Sequence, residues 1–110
     1  EDILASGKAR AIGISNAGIP ILEHLSKTWK VVPAVNQIEN HPYNPEHELK
    51  KYCDEKGILI QAYSPLGSTG KSGAMAMLFP MLTAGSPLSK DPVLIKIAEK
   101  HNVSPATVLI

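Results

Sequence analysis

Polar side chains close each of three apolar runs in the first two-thirds of the chain. Ser15 and Asn16 end the first run, Gln37 ends the second, and Tyr63 and Ser64 end the third. In parallel α/β folds, ligands bind beyond the carboxyl ends of the strands. Serine, asparagine and glutamine can bond an amide, and tyrosine offers a ring for stacking, so the set predicts a site for a planar, amide-bearing ligand. The alternative is that these groups only cap loops.

Helical patterns separate the apolar runs, which are themselves predicted to be strands over residues 9–14, 34–38 and 58–63. The first helix has Pro20 in its first turn, and its apolar stripe consists of Ile21, Leu22, Leu25 and Trp29. The second helix is predicted between Asn44 as its N-cap and Gly57 just past its end. Its buried face is predicted to carry Leu49, Tyr52 and Cys53.

This alternation predicts βαβ units with a parallel sheet, which suits either a doubly wound sheet or an eightfold barrel. Residues 67–90 are rich in Gly, Ser, Ala and Met and are predicted to form a long loop. Asp91 and Pro92 then provide an N-cap and a first turn for a helix that ends near Asn102. Its apolar face is predicted to contain Val93, Leu94, Ile97 and Ala98. A further helical segment is predicted to start at residues 104–105.

The composition fits one domain: 110 residues, 44% of them apolar, with a net charge of +1. Such a balance predicts no nucleic-acid and no membrane partner, and residues 74–84 are shorter than the roughly 20 apolar residues of a membrane span. The single cysteine, Cys53, indicates a reducing compartment, so a cytoplasmic location and a packing role for the thiol are expected. No metal site is predicted. A start without methionine and an end within a helical pattern predict a fragment.

Three segments resemble consecutive strands of the aldo-keto reductases. Residues 7–16 (GKARAIGISN) resemble the fifth barrel strand, residues 35–43 (VNQIENHPY) the sixth strand and its exit, and residues 57–68 (GILIQAYSPLGS) the seventh. Residues 91–110 are similar to the helix before the eighth strand. The resemblance implies that residues 1–110 are an internal part of one such barrel domain. The expected fold is a partial (β/α)8 TIM barrel with three parallel strands alternating with helices.

The resemblance also implies the roles of individual residues. Ser15, Asn16 and Gln37 match positions that hydrogen-bond the nicotinamide carboxamide, and Tyr63 matches the ring that stacks on the nicotinamide. The loop that wraps the pyrophosphate is matched by Ser64, Leu66 and Ser68. The implied cofactor is NADP(H), and the implied reaction reduces small aldehydes or ketones to alcohols.

The family's catalytic tyrosine, lysine, aspartate and histidine come from earlier strands, and no residue here matches them. His41 and Tyr43 occupy other positions, and a loop-shaping role is expected for His41. No catalytic residue is therefore assigned, and the chain alone is predicted to be inactive. The alternative is a non-catalytic partial barrel with a nucleotide-binding, regulatory or structural role. The oligomeric state is left open.

Two positions depart from the family pattern. Ala17 stands where the family usually has a phenylalanine, which removes a large packing group. Residues 70–85 form an atypical insertion, apolar and rich in methionine. A retained in-frame intron and an extended substrate loop are both open explanations for it.

Overall fold

The computed structural model describes residues 1–67 and 88–110. They belong to two compact units, Glu1–Tyr63 and Ser64–Ile110. The predicted insertion over residues 70–85 lies outside the described residues. Within the two described ranges, no helix is long and apolar enough to cross a membrane.

The first unit contains a three-stranded parallel sheet in the order β1-β2-β3. Its strands are β1 (Gly13–Ser15), β2 (Val35–Glu39) and β3 (Leu59–Tyr63). Its helices are α1 (Asp2–Ala5), α2 (Ile19–Leu25) and α3 (His47–Lys56). The predicted alternation of parallel strands with helices is confirmed.

Both connecting helices pack on one face of the sheet. Leu22 of α2 and Cys53 of α3 are fully buried in one cluster with Ile38 of β2. The opposite face is uncovered in this unit: Gln37 is exposed, and Leu59 is 69% exposed. A doubly wound sheet carries helices on both faces, whereas a barrel carries them only outside. The packing therefore favours the barrel over the doubly wound sheet.

β1 is shorter than the predicted strand over residues 9–14. Its pairing begins where the Ala34 N–H donates to the Ile12 carbonyl oxygen at 2.8 Å. Earlier residues have no strand partner, since β2 begins only after Pro33, which has no N–H to give to a ladder. The first helix likewise ends before the predicted stripe does, and the ring of Trp29 packs against the core from beyond it.

The start of α3 differs from the prediction, because Asn44 is not its N-cap. The helix begins at His47, and Glu46 precedes it with a left-handed φ of 42° and no side-chain cap. The Asn44 side chain is used elsewhere: its Nδ2 donates to the Glu39 carbonyl oxygen at 2.9 Å. The far end agrees with the prediction, since Gly57 closes the helix with a φ of 71°.

The second unit is helical in its described part. A 3₁₀ turn over Leu88–Lys90 precedes α4 (Pro92–His101) and α5 (Pro105–Leu109). The predicted caps are confirmed. Asp91 Oδ1 accepts hydrogen bonds from the backbone N–H groups of Val93 at 2.7 Å and Leu94 at 3.3 Å.

The predicted apolar face of α4 is only half correct. Leu94 and Ala98 are buried, whereas Val93 is 65% exposed and Ile97 is also exposed. The helix ends at Asn102, which adopts a left-handed φ of 53° as a C-cap. The buried side chains lie one turn apart, so in the described part of this unit α4 presents a narrow packed stripe.

Candidate functional site

The strand register places most of the predicted site residues on one face of the sheet. Ser15 is paired with Gln37, and Gln37 is paired with Gln61 on the other side. The next row towards the carboxyl ends pairs Glu39 with Tyr63. Because side chains alternate between faces along a strand, all five lie on the face away from the helices. The structure thus brings Ser15, Gln37 and Tyr63 onto one surface, as the strand-end pattern predicts.

The carbonyl oxygen of Gln37 holds the exit of β1. It accepts one hydrogen bond from Ser15 Oγ at 2.9 Å and another from the Asn16 backbone N–H at 2.9 Å. Asn16 then turns the chain out of the sheet with a φ of 54°, a left-handed conformation that asparagine tolerates better than most residues. The backbone carbonyl of Gln37 therefore holds both Ser15 and Asn16, and all three are predicted site residues.

These contacts decide what each side chain can offer a ligand. A hydroxyl has one proton and two lone pairs, and the Ser15 proton is directed at the Gln37 carbonyl, so its lone pairs are left to accept. The side chains of Asn16 and Gln37 are exposed, and each amide can donate and accept. A carboxamide has two N–H donors and one oxygen acceptor. The residues present fit such a group, with the half-buried Tyr63 beside them as the aromatic member.

An open cleft of about 270 Å³ lies at the carboxyl ends of the strands. Its lining consists of Asn16, Ala17, Gly18, Ile38, Glu39, Asn44, Glu46, Leu49 and Tyr63. The cleft joins two predicted residues, Asn16 and Tyr63, to polar residues that were not predicted as site residues, among them Glu39 and Asn44. Their position at the end of β2 and in the loop after it was the signal that could have found them.

The loop after β2 is held by contacts among its own residues. His41 Nε2 lies 3.3 Å from Glu39 Oε1, and the His41 side chain is only 9% exposed. The backbones of His41 and Asn44 pair with each other, and Asn44 also bonds the Glu39 carbonyl. These contacts are what a loop-shaping role for His41 requires. They also aim the Glu39 side chain at the loop rather than leaving it free.

Asn36, the second residue of β2, lies with Gln37 among the polar residues near the end of the predicted strand, but its burial was not predicted. It is 0% exposed, and its side chain bonds both the N–H and the carbonyl of Ala17. Its other neighbour is the Cys53 thiol, whose pKa burial raises and the hydrogen bond with Asn36 partly lowers. A raised pKa keeps the thiol protonated and unreactive, in agreement with the expected packing role. The available signal was an amide within an otherwise apolar strand.

The residues predicted to wrap a pyrophosphate begin the second unit. The Gly67 N–H donates to the Ser64 carbonyl oxygen at 2.8 Å, which closes a tight turn with Pro65 at its second position. Ser64 has a φ of 49°, and Leu66 is 42% exposed on the turn. Ser68, the last predicted residue, lies outside the described residues.

An in-order parallel sheet with helices on one face and polar side chains at its carboxyl edge is the architecture of part of a (β/α)8 barrel. The sequence model of the aldo/keto reductase family matches residues 1–110, and the chain belongs to this family.

Two curated relatives illustrate the match. The D-galacturonate reductase of Hypocrea jecorina is 50% identical over 110 residues, which is 100% of this chain and 31% of that protein. The glycerol 2-dehydrogenase (NADP(+)) of Saccharomyces cerevisiae is 41% identical over 112 residues, again 100% of this chain and 31% of that protein. The chain spans 31% of the length of both relatives.

Solved structures agree with the fold. A Bombyx mori aldo-keto reductase in complex with NADP superposes with a TM-score of 0.78 at 33% identity, covering 98% of this chain and 33% of that one. An aldo/keto reductase from Brucella melitensis gives a TM-score of 0.77 at 32% identity, covering 98% and 35%. The predicted partial barrel of parallel strands is therefore confirmed.

Proposed function

We propose that this chain forms the nicotinamide-binding part of an NADP(H)-dependent oxidoreductase that reduces small aldehydes or ketones to alcohols. The observation that carries the proposal is the Gln37 carbonyl, which accepts bonds from both Ser15 and Asn16. That arrangement leaves an acceptor and two amides on one edge of the sheet, which complements a carboxamide. The NADP named for the relatives supports the same cofactor here.

Each side chain has a proposed task. Ser15 Oγ accepts a hydrogen bond from the carboxamide NH₂, while the amides of Asn16 and Gln37 bond its oxygen and its remaining N–H. The ring of Tyr63 stacks on the nicotinamide and leaves the other face for the substrate. Ser64, Leu66 and Ser68 contact the pyrophosphate. When bound, the reduced cofactor supplies a hydride, and the contribution of this chain is to hold and orient it.

The residues proposed above bind the cofactor and do not supply the proton that the reduction requires. None of them matches the family's proton donor, so we propose that residues 1–110 alone do not reduce carbonyls. The uncovered sheet face, with Leu59 69% exposed, supports the view that both units belong to one barrel domain. A buried, unreactive Cys53 also suits a cytoplasmic protein.

NADPH binding tests the proposal on two proteins, the 110-residue chain and the full-length product of the gene that encodes it. Binding is followed by calorimetry, and aldehyde reduction by the loss of NADPH absorbance. We expect tight binding and turnover from the full-length product, and weak binding without turnover from the 110-residue chain. Folded full-length product that binds no NADPH would contradict the proposal and favour a structural or regulatory role.

A single substitution addresses the site itself. Ser15→Ala removes an acceptor, so we expect NADPH affinity to fall by about three- to tenfold, the effect of roughly one lost hydrogen bond. Ser26→Ala is the matched control, because Ser26 Oγ also bonds a backbone carbonyl, that of Glu23, but at the end of α2. Equal NADPH affinities of the two variants would show that Ser15 does not contribute to cofactor binding.

A further inference from the structure

Asn36 is an amide buried among apolar side chains, an arrangement that is unfavourable unless its polar atoms are bonded. Both ends of the amide bond one residue of another segment. Asn36 Oδ1 accepts from the Ala17 N–H at 3.3 Å, and Asn36 Nδ2 donates to the Ala17 carbonyl oxygen at 2.8 Å. Two bonds to the backbone of one residue, one on each of its flanking peptide groups, fix both its distance from β2 and its orientation.

The clamped residue lies next to the proposed amide-binding side chains. Ser15 and Asn16 immediately precede Ala17, and both are bonded to the carbonyl of Gln37, the residue after Asn36. Two adjacent residues of β2 therefore hold three consecutive residues at the exit of β1. The side chain of Asn36 acts from the helix side of the sheet, and the backbone of Gln37 acts within it.

Ala17 is 3% exposed and belongs to the core cluster, so packing also holds this part of the chain. Residue 17 offers only a methyl group, and the open cleft begins beside it. The next residue, Gly18, has no side chain. The buried Cys53 thiol of α3 is a further neighbour of Asn36. Among the described residues, the hydrogen bonds of Asn36 are therefore what orients the backbone of Ala17 as the chain leaves Asn16.

We propose that Asn36 is a positioning residue for the nicotinamide carboxamide, setting the orientation of Ser15 and Asn16 through Ala17 without touching the cofactor. The inference rests on the proposed function. Loss of the clamp leaves Ser15 and Asn16 present but misaligned, so the contribution of the nicotinamide half to binding falls while the contacts with the rest of the cofactor remain.

The test compares two ligands on the full-length gene product. One is NADPH, and the other is 2′-phospho-ADP-ribose, which lacks the nicotinamide. The variants are Asn36→Leu, which removes both bonds at similar volume, and Asn36→Ser, a smaller polar change in case leucine prevents folding. Cys53→Ala is the matched control, because it truncates an equally buried neighbour of Asn36 and leaves both Asn36–Ala17 bonds in place.

We expect the Asn36 variants to bind NADPH about tenfold more weakly and 2′-phospho-ADP-ribose within about twofold of the original protein. Cys53→Ala should leave the ratio of the two affinities unchanged even if it lowers the melting temperature. An equal loss for both ligands in the Asn36 variants would make Asn36 a purely structural residue and overturn the inference. Absence of NADPH binding by the unsubstituted, folded protein would instead refute the proposed function.

Hydrogen exchange on the unsubstituted protein provides a measurement that requires no variant. If the clamp transmits alignment to the cofactor, NADPH should slow exchange of the Ala17 amide, and 2′-phospho-ADP-ribose should leave it unchanged. Equal slowing by both ligands would contradict the inference, since the clamp would then respond to binding in general and not to the nicotinamide.

Discussion

The exits of β1 and β2 are held in opposite ways. At the exit of β1, the hydrogen bonds that hold Ser15, Asn16 and Ala17 come from residues about twenty positions away, through the Asn36 side chain and the Gln37 carbonyl. At the exit of β2, the side-chain contacts are local: His41 reaches Glu39, and Asn44 bonds the Glu39 carbonyl and pairs with His41. A long-range bond there, from the Asn40 N–H to the Tyr63 carbonyl oxygen, is longer, at 3.4 Å. The conformation of the first exit therefore depends on the pairing of β1 with β2, whereas that of the second depends mainly on bonds within the loop.

Because of this difference, the proposed amide-binding residues and the wall of the cleft should respond differently to substitutions. The proposed amide-binding residues depend on correct pairing of β1 with β2, so any change that parts the strands should affect them. The cleft wall formed by the loop after β2 can change without disturbing that pairing. Local bonds also form without the entropic cost of closing a long loop, so the second exit needs less of the fold to be in place.

The largest effect on stability is expected from Gly13→Ala, which disturbs the pairing of β1 with β2 before the first exit. A Cβ at Gly13 would lie 2.9 Å from the Val35 carbonyl oxygen and closer still to its side chain, so β1 must move away from β2. We expect a loss of about 1–3 kcal/mol in the free energy of unfolding, measured with urea on the full-length product.

Gly18→Ser is the matched control for that change. A Cβ there meets only Pro20 Cδ at 3.8 Å, an ordinary contact, and a serine at the N-cap of α2 can bond the helix. Its stability should be unchanged or higher. Equal destabilisation by both substitutions would show that the close approach at Gly13 is not what the sheet requires.

A smaller effect on stability is expected from Asn44→Ala, which removes a hydrogen bond at the second exit. It removes the 2.9 Å bond to the Glu39 carbonyl, so the free energy of unfolding should fall by about 1 kcal/mol. NADPH affinity should stay within about twofold, since Ser15 and Asn16 are held from β2. Asn40→Ala is the control, because its bond to the Asn44 carbonyl is longer, at 3.4 Å. A large loss of NADPH affinity with Asn44→Ala would mean that the two exits are coupled.

The smallest effect concerns another long-range contact, between Glu1 and the segment before β2. Glu1 Oε1 accepts from the N–H groups of Lys30 at 2.7 Å and Val31 at 3.0 Å, and these bonds lower the pKa of its carboxyl group. A lowered pKa in the folded state stabilises the protein above the unfolded-state pKa, and the contribution disappears as pH falls through the folded value.

Glu1→Gln should therefore be slightly less stable than the original protein at pH 7, with the difference vanishing in acid. Urea unfolding at neutral and acidic pH measures this difference. Glu48→Gln removes the same charge from an exposed position on α3 and corrects for the change in net charge. A difference that persists at low pH would show that the ionised carboxylate is not what matters.

The sequence predicted features that follow from local rules. The cap at Asp91 and the end of α3 at Gly57 depend on a few neighbouring residues, and both were correct. The convergence of Ser15 and Gln37 followed from one general rule, that parallel strands end at a common edge. The Asn44 cap failed because the carbonyl of Glu39, five residues earlier, accepts a hydrogen bond from the same side chain.

Asn36 could not be found by those rules. Its role depends on which peptide lies across the sheet from it, and no pattern in the sequence specifies that Ala17 occupies that place. An amide inside an apolar strand shows only that some partner must exist. The identity of the partner requires the register between β1 and β2, which is a property of the fold.

The Ser15 hydroxyl donates its proton to the Gln37 carbonyl, and this bond affects which analogues of the cofactor the site can bind. With that proton on the Gln37 carbonyl, the hydroxyl presents only lone pairs to the ligand. The acid form of the dinucleotide, in which the nicotinamide carries a carboxylate, has no N–H to give and would set a negative charge against those lone pairs. Competition between the amide and acid forms would measure the discrimination, which we expect to vanish in Ser15→Ala. If Ser15 binds the carboxamide as proposed, a single backbone carbonyl would thereby distinguish the amidated cofactor from its acid form.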